Sequence, residues 1–280
     1  MKSHKNIAVG LLFFLGLSIF LYPTISQKFS SAEHAKVIET YRETVNEKSD
    51  EWIEEEYENA KTYNKALLGQ DISDPFVPNS GQVIPSNYND VLDFGNGMIA
   101  ELIIPSIGVH LPIYHGTEEE ILREGIGHLP ETAFPITGKG NHSVVTGHTG
   151  LPNSKLLTDL SKVGVDDEFK IKINNRTFVY KVYKIQVVLP HETSFLKPEA
   201  DRDLLTIITC TPYGVNTHRL LVKAEFYEEE IEVIQMPEDQ FVEYESLSWW
   251  WIISFVVLIL VLILLLWVSA QKKFKTNGSH

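Results

Sequence analysis

Cysteine and positive charge are both scarce in this chain. It has one cysteine, Cys210, in 280 residues, and 24 Lys and Arg against 37 Asp and Glu, a formal net charge of −13. A lone cysteine cannot close an intramolecular disulfide, and it excludes a multi-cysteine zinc site. The acidic balance leaves no basic stripe to neutralise phosphates, which argues against nucleic acid as a partner. Internal repeats and long low-complexity tracts are also missing. What is present is enough for one domain of ordinary size with extensions, and a hydrophobic content of 44% can fill its core.

Two stretches are not ordinary globular sequence. Ile7 to Tyr22 reads IAVGLLFFLGLSIFLY, with Lys2 and Lys5 before it and Pro23 after it. It is short for a span and fits a retained anchor or a cleaved signal peptide equally, with Ser30-Ser31-Ala32 as a distant cleavage candidate. Trp249 to Val268 carries no charge. Its about 20 residues make roughly 30 Å of helix, the thickness of a bilayer core. Trp249, Trp250 and Trp251 at one end and Trp267 near the other resemble interfacial belts, and Lys272, Lys273 and Lys275 follow. The lysines at both ends assign both termini to the cytoplasm and the chain between about Ser26 and Ser248 to the outside. The cell membrane is therefore the expected location, with the N-terminal segment's retention left open.

Between the runs the pattern changes twice. From Ala32 to about Gln70, apolar residues such as Val37, Tyr41, Val45, Ile53 and Tyr57 recur at helical spacing among acidic residues, predicting an amphipathic helix or helix pair. Gly69 to Phe94 is a polar connector rich in Pro, Gly and Asn. From Met98 onward, short runs rich in Val, Ile, Thr and Tyr, such as MIAELIIP, HSVVTGH and LLTIITC, are punctuated by turn residues. This predicts an all-β barrel or sandwich, with short helices near Thr117–Glu124 and Ser154–Leu160 and a hairpin turn at Asn174-Asn175.

Cys210 ends the apolar strand LLTIITC, just before a turn. That is where a side chain emerges to do chemistry, although a small buried hydrophobe is the alternative. A thiol of pKa about 8.5 needs a cation or base to act as a nucleophile. Arg219 is one candidate. If LLTIITC pairs with RLLVKAEFY, the two side chains stand together, and the guanidinium fork can hold a carbonyl or an oxyanion. A surface salt bridge is the alternative. A histidine is the second candidate, and His148, His142 and His218 all qualify. Periodicity does not choose among them.

The segment TIITCTPYGVNTHRLLV resembles the signature of sortases, and VVTGHTGLP resembles the segment bearing that family's histidine. The resemblance runs over roughly Met98 to Tyr227, with separated motifs in the family's order. It implies an eight-stranded sortase-type β-barrel with Cys210 as nucleophile, His148 as general acid/base and Arg219 as oxyanion or substrate stabiliser, with no metal and no other cofactor. The C-terminal apolar run, the helical N-terminal region and the segment Asp74-Pro75-Phe76 resemble class C, pilus-assembling sortases. That likeness implies a lid in which Asp74 approaches Arg219 and Phe76 covers Cys210 and His148. It also implies that the loop Leu189 to Asp203 shapes a substrate groove. Asn141 and Thr209 are weaker candidates for the neighbourhood of the site.

The implied partners are the membrane and pilins or other secreted proteins ending in a Leu-Pro-x-Thr-Gly-like sorting signal. The implied division is a signal or anchor at 1–25, a helical region with lid at 26–96, the barrel at 97–230, a linker at 231–247, a transmembrane helix at 248–270 and a basic tail at 271–280. Three other readings compete. One is a housekeeping sortase anchoring proteins to peptidoglycan, another a papain-like hydrolase, and the third a membrane-tethered binding module with an inert Cys210.

Overall fold

The computed structural model describes residues 2–67, 72, 74–76, 85–95 and 97–231. The expected linker and the apolar run Trp249–Val268 with its basic tail lie outside the described residues.

Helix α1 spans Lys2–Asn46 and has Pro23 inside it. Its apolar side chains Leu11, Leu12, Phe13, Leu15, Ile19, Phe20 and Tyr22 are exposed. Among the described residues this is the one helix long and apolar enough to cross a membrane. Residues Pro23–Ile234 form a compact unit. Within it the helical region is a pair, because α1 ends at Asn46 and α2 covers Asp50–Ala66. Ser49 starts α2 by accepting the Trp52 N–H at 3.3 Å, which satisfies a donor the first turn leaves open. Asp50 and Glu51 at its start and Lys65 at its end complement the helix dipole.

Eight strands close a barrel in the order β1-β2-β3-β4-β7-β8-β6-β5. They are β1 (Met98–Ile104), β2 (Val109–His115), β3 (Ile126–His128), β4 (His142–Thr146), β5 (Glu168–Ile173), β6 (Arg176–Val188), β7 (Leu204–Thr211) and β8 (His218–Ile231). β5 shows why these runs become strands: Phe169, Ile171 and Ile173 are buried while Glu168, Lys170 and Lys172 between them are not. That alternation is the period of a pleated strand. Asn174 turns the β5–β6 hairpin with φ 54, a left-handed conformation that asparagine tolerates. Helix α3 (Glu119–Glu124) forms between β2 and β3. The helix expected at Ser154–Leu160 does not form. Leu156 sits at φ 35, outside the helical region, and the stretch runs as turns into a 3₁₀ turn at Leu160–Lys162.

The helix pair packs on the barrel through an apolar interface that contains polar ties. Tyr41 donates to the Ile99 carbonyl at 3.2 Å and Tyr57 to that of Ile173 at 2.7 Å. Arg42 grips buried Glu101 through two bonds of 2.7 and 2.6 Å, and His110 meets the same carboxylate at 2.7 Å. Losing Arg42 would leave the buried carboxylate with His110 as its remaining partner here, and a poorly compensated buried charge is costly.

Candidate active site

The site begins with a cross-strand pair. β7 and β8 run antiparallel with Cys210 directly opposite Arg219, a placement that holds β-carbons about 5 Å apart. The strand ends bring His148 to the same rim. β4 and β7 are parallel, with Thr146 opposite Ile208. Beyond the last pair, the Gly147 N–H donates to the Ile208 carbonyl at 3.3 Å and the Thr209 hydroxyl donates to the Gly147 carbonyl at 2.8 Å. A β-carbon on Gly147 would lie 2.6 Å from Ile126 Cδ1 and 3.1 Å from Leu157 Cδ1, so those side chains would have to shift to admit one. His148 therefore leaves β4 beside the end of β7 that carries Cys210. Gly150, at φ 80, lies under the ring of Tyr213 and ties the loop after His148 to the turn after Cys210.

The other candidates separate clearly. His142 stands at the opposite end of β4 and is 2% exposed. Burial lowers its pKa to about 4. Asn141 lies at that far end as well, donating to the Ile136 carbonyl at 3.1 Å. His218 is next to Arg219 in sequence and pairs with the neighbouring Thr217 hydroxyl at 2.9 Å. Thr209 is near the site, but its hydroxyl is committed to Gly147.

Asp74, Pro75 and Phe76 lie against this rim. Asp74 accepts two bonds from Arg219, from Nε at 3.1 Å and from an η nitrogen at 2.8 Å, and both residues are buried. This is a bidentate, charge-assisted fork. Asp74 also accepts the Phe76 N–H at 3.1 Å, tightening the turn. The Phe76 ring sits 4.9 Å from the Arg219 guanidinium and 5.9 Å from the His148 ring. Phe76 and Ile72 pack on an apolar cluster of the outer barrel face that includes Ile208, Leu221 and Leu196. His148 turns Nε2 toward the Glu119 carboxylate, 3.2 Å away. Glu119 was not foreseen because it is one of three consecutive glutamates at the start of α3, and only the fold selects it.

Cys210 is half-buried. Burial pushes its thiol above the ordinary value, the Arg219 charge pulls it down, and the Asp74 carboxylate pushes it up again. With Asp74 in place the thiolate is further disfavoured. Among the described residues, no group of three or more His, Cys, Asp or Glu side chains could hold a metal ion.

The family model for the sortase domain matches residues 102–227. The structure of sortase C-1 from Actinomyces oris is 43% identical, with 63% of this chain and 99% of that chain covered at a TM-score of 0.60. The chain belongs to the sortase family. Sortase C of Streptococcus pneumoniae is 33% identical, covering 69% of this chain and 97% of its own at a TM-score of 0.64. Among curated relatives, sortase D of Bacillus subtilis is 25% identical over 113 residues, 40% of this chain. The chain spans 54% of that relative's length. The eight-stranded barrel is thus a sortase barrel, and the solved structures most like this chain include class C sortases.

Proposed function

We propose that this chain is a membrane-anchored class C sortase, a cysteine transpeptidase that joins pilin subunits. The observation that carries the reading is the pairing of Cys210 with Arg219 at a strand rim, with His148 delivered to the same rim. The Streptococcus pneumoniae sortase C is described in terms of its pilin substrate specificity, and that likeness supports the reading of a pilin substrate here.

The chemistry follows from the residues. Cys210 thiolate attacks the threonine carbonyl carbon of a Leu-Pro-x-Thr-Gly-like sorting signal. Arg219 holds the negative charge that develops on the carbonyl oxygen. The Thr–Gly C–N bond breaks, His148 gives a proton to the departing glycine amine, and a thioester remains. A lysine amine of a second pilin then attacks the thioester, losing its proton to His148. An isopeptide bond forms and the thiolate is regenerated. Asp74, Pro75 and Phe76 act as a lid. Asp74 occupies the Arg219 fork that a substrate carbonyl would use, so the lid must leave before substrate binds.

The test is to incubate the full chain with a pilin bearing such a tail, beside Cys210→Ala, and to read products by mass spectrometry. A pilin–pilin isopeptide dependent on Cys210 supports the reading. Transfer only to a cell-wall peptide amine supplied in competition would favour a housekeeping sortase instead. No acyl-enzyme from any tail, with the lid intact or removed, would overturn the transpeptidase reading.

A further inference from the structure

The outer face of the β7–β8 ladder carries the site in successive layers. The pair Cys210–Arg219 stands at the rim, Ile208–Leu221 comes next, and Thr206–Lys223 lies below that. At about 3.4 Å per residue, the lowest pair is roughly 13 Å from the rim pair. Leu196 packs on the middle layer, and a cleft is lined by Leu196, Val188, Ile208, Arg219 and the lid residues Asp74 and Pro75. Leu196 ends the 3₁₀ turn Thr193–Leu196, within a long connection between β6 and β7. Side-chain bonds and packing help fix the position of that turn over the sheet.

Two of those bonds come from the lowest layer and involve groups the proposed chemistry does not use. Lys223, 6% exposed, donates from Nζ to the Phe195 carbonyl at 2.8 Å. His142 faces the Lys197 carbonyl through Nδ1 at 3.0 Å and the Thr206 hydroxyl through Nε2 at 2.7 Å. A neutral ring meets both needs by donating from Nδ1 and accepting at Nε2. The two carbonyls flank Leu196 in sequence, so the main chain is pinned immediately before and immediately after the residue that forms the wall. Burying a lysine is costly, and this one sits where a conventional apolar contact would fill the space without holding anything.

We propose that Lys223 and His142 are positioning residues for the substrate cleft. By clamping the main chain on both sides of Leu196 they set the cleft wall, and with it the apolar side chain the cleft accepts. This inference rests on the cleft being the sorting-signal site. Neither residue touches the reacting atoms.

The test uses the full chain carrying Asp74→Ala, which frees the cleft, with Lys223→Met and Lys223→Arg added separately. The probes are sorting-signal peptides with Leu or Ala at their first position. Lys223→Met should raise KM for the Leu peptide about tenfold and shrink the preference for Leu over Ala, while kcat stays within about twofold. The rate of Cys210 alkylation should not move, and Lys223→Arg should restore part of the preference. Leu196→Ala, which keeps the clamp and removes the wall, should reproduce the loss of preference. If Lys223→Met leaves KM and preference unchanged, or lowers kcat and alkylation together, the clamp has no positioning role. Should Lys223→Met fail to fold, an unchanged preference in Leu196→Ala would overturn the proposal by itself. If the parent forms no thioester with any peptide while its thiol alkylates normally, the sorting-signal reading fails, and the clamp proposal with it.

Discussion

Cys210 and Arg219 belong to a ladder in which eight residue pairs join β7 and β8, whereas the contacts of Asp74 and Phe76 with them and with His148 among the described residues are side-chain contacts: an ion pair, ring contacts with Arg219 and His148, and packing on a small apolar cluster. The ladder cannot open locally without breaking many backbone hydrogen bonds together. On the proposed reading the segment leaves by exchanging side-chain contacts for water, and elements that must move are drawn from weakly held regions. On that reading, a fixed floor under a detachable cover would keep the thiol quiet without putting the catalytic geometry at risk.

The largest expected effect is at the floor. Cys210→Ala should abolish the covalent intermediate and the isopeptide product, read by mass spectrometry, while leaving the lid contacts in place. Arg219→Lys should separate floor from cover. It keeps the charge but loses the fork, so turnover should fall about 10²-fold, yet alkylation of Cys210 should rise because Asp74 loses its bidentate partner. A parallel fall in both rates would mean that Arg219 holds the floor itself. Phe76→Ala acts on the cover alone. It should speed alkylation severalfold and leave thermal unfolding nearly unchanged, because the ring is not part of the barrel interior.

The barrel gives a smaller effect with a definite sign. Burial lowers the pKa of His128 from 6.5 to about 3 and that of His142 to about 4. The unfolded chain therefore binds protons that the folded chain refuses, and stability falls as pH drops from 6.5 toward these values. Asp203 works the other way. Burial raises its pKa from 3.8 to about 6, so its contribution declines as pH rises through that window. With two histidines against one carboxylate, the melting temperature should fall on acidification below pH 6.5, and His142→Gln should show a shallower fall. Alkylation under the same mild acid should report no lid opening beyond what unfolding explains.

The barrel was legible because its strands alternate or run apolar between turn residues, a signal each strand carries locally. The break between α1 and α2 rested on Ser49 and the acidic first turn of α2, signals that a stretch dense in glutamate conceals. Leu156 at φ 35 had no local signature, and a helix was expected where turns occur. At the site, the pairing of Cys210 with Arg219 depended on the two segments forming a hairpin, and spacing alone favoured a surface salt bridge for Arg219. The choice of His148 over His142 needed either family resemblance or the parallel β4–β7 register, a pairing of strands far apart in sequence. Glu119, Lys223 and the contact of Tyr213 with Gly150 depend on long-range packing, so nothing in their own segments marks them.

The most direct test of a fixed floor under a detachable cover is the rate of Cys210 alkylation in the full chain and in Asp74→Ala, measured across pH. The chain has one cysteine, so the adduct can form at one site. Asp74 pushes the thiol pKa up. Removing it should shift the alkylation profile to lower pH and raise the rate at neutral pH. An unchanged profile, or slower alkylation in Asp74→Ala, would contradict the account.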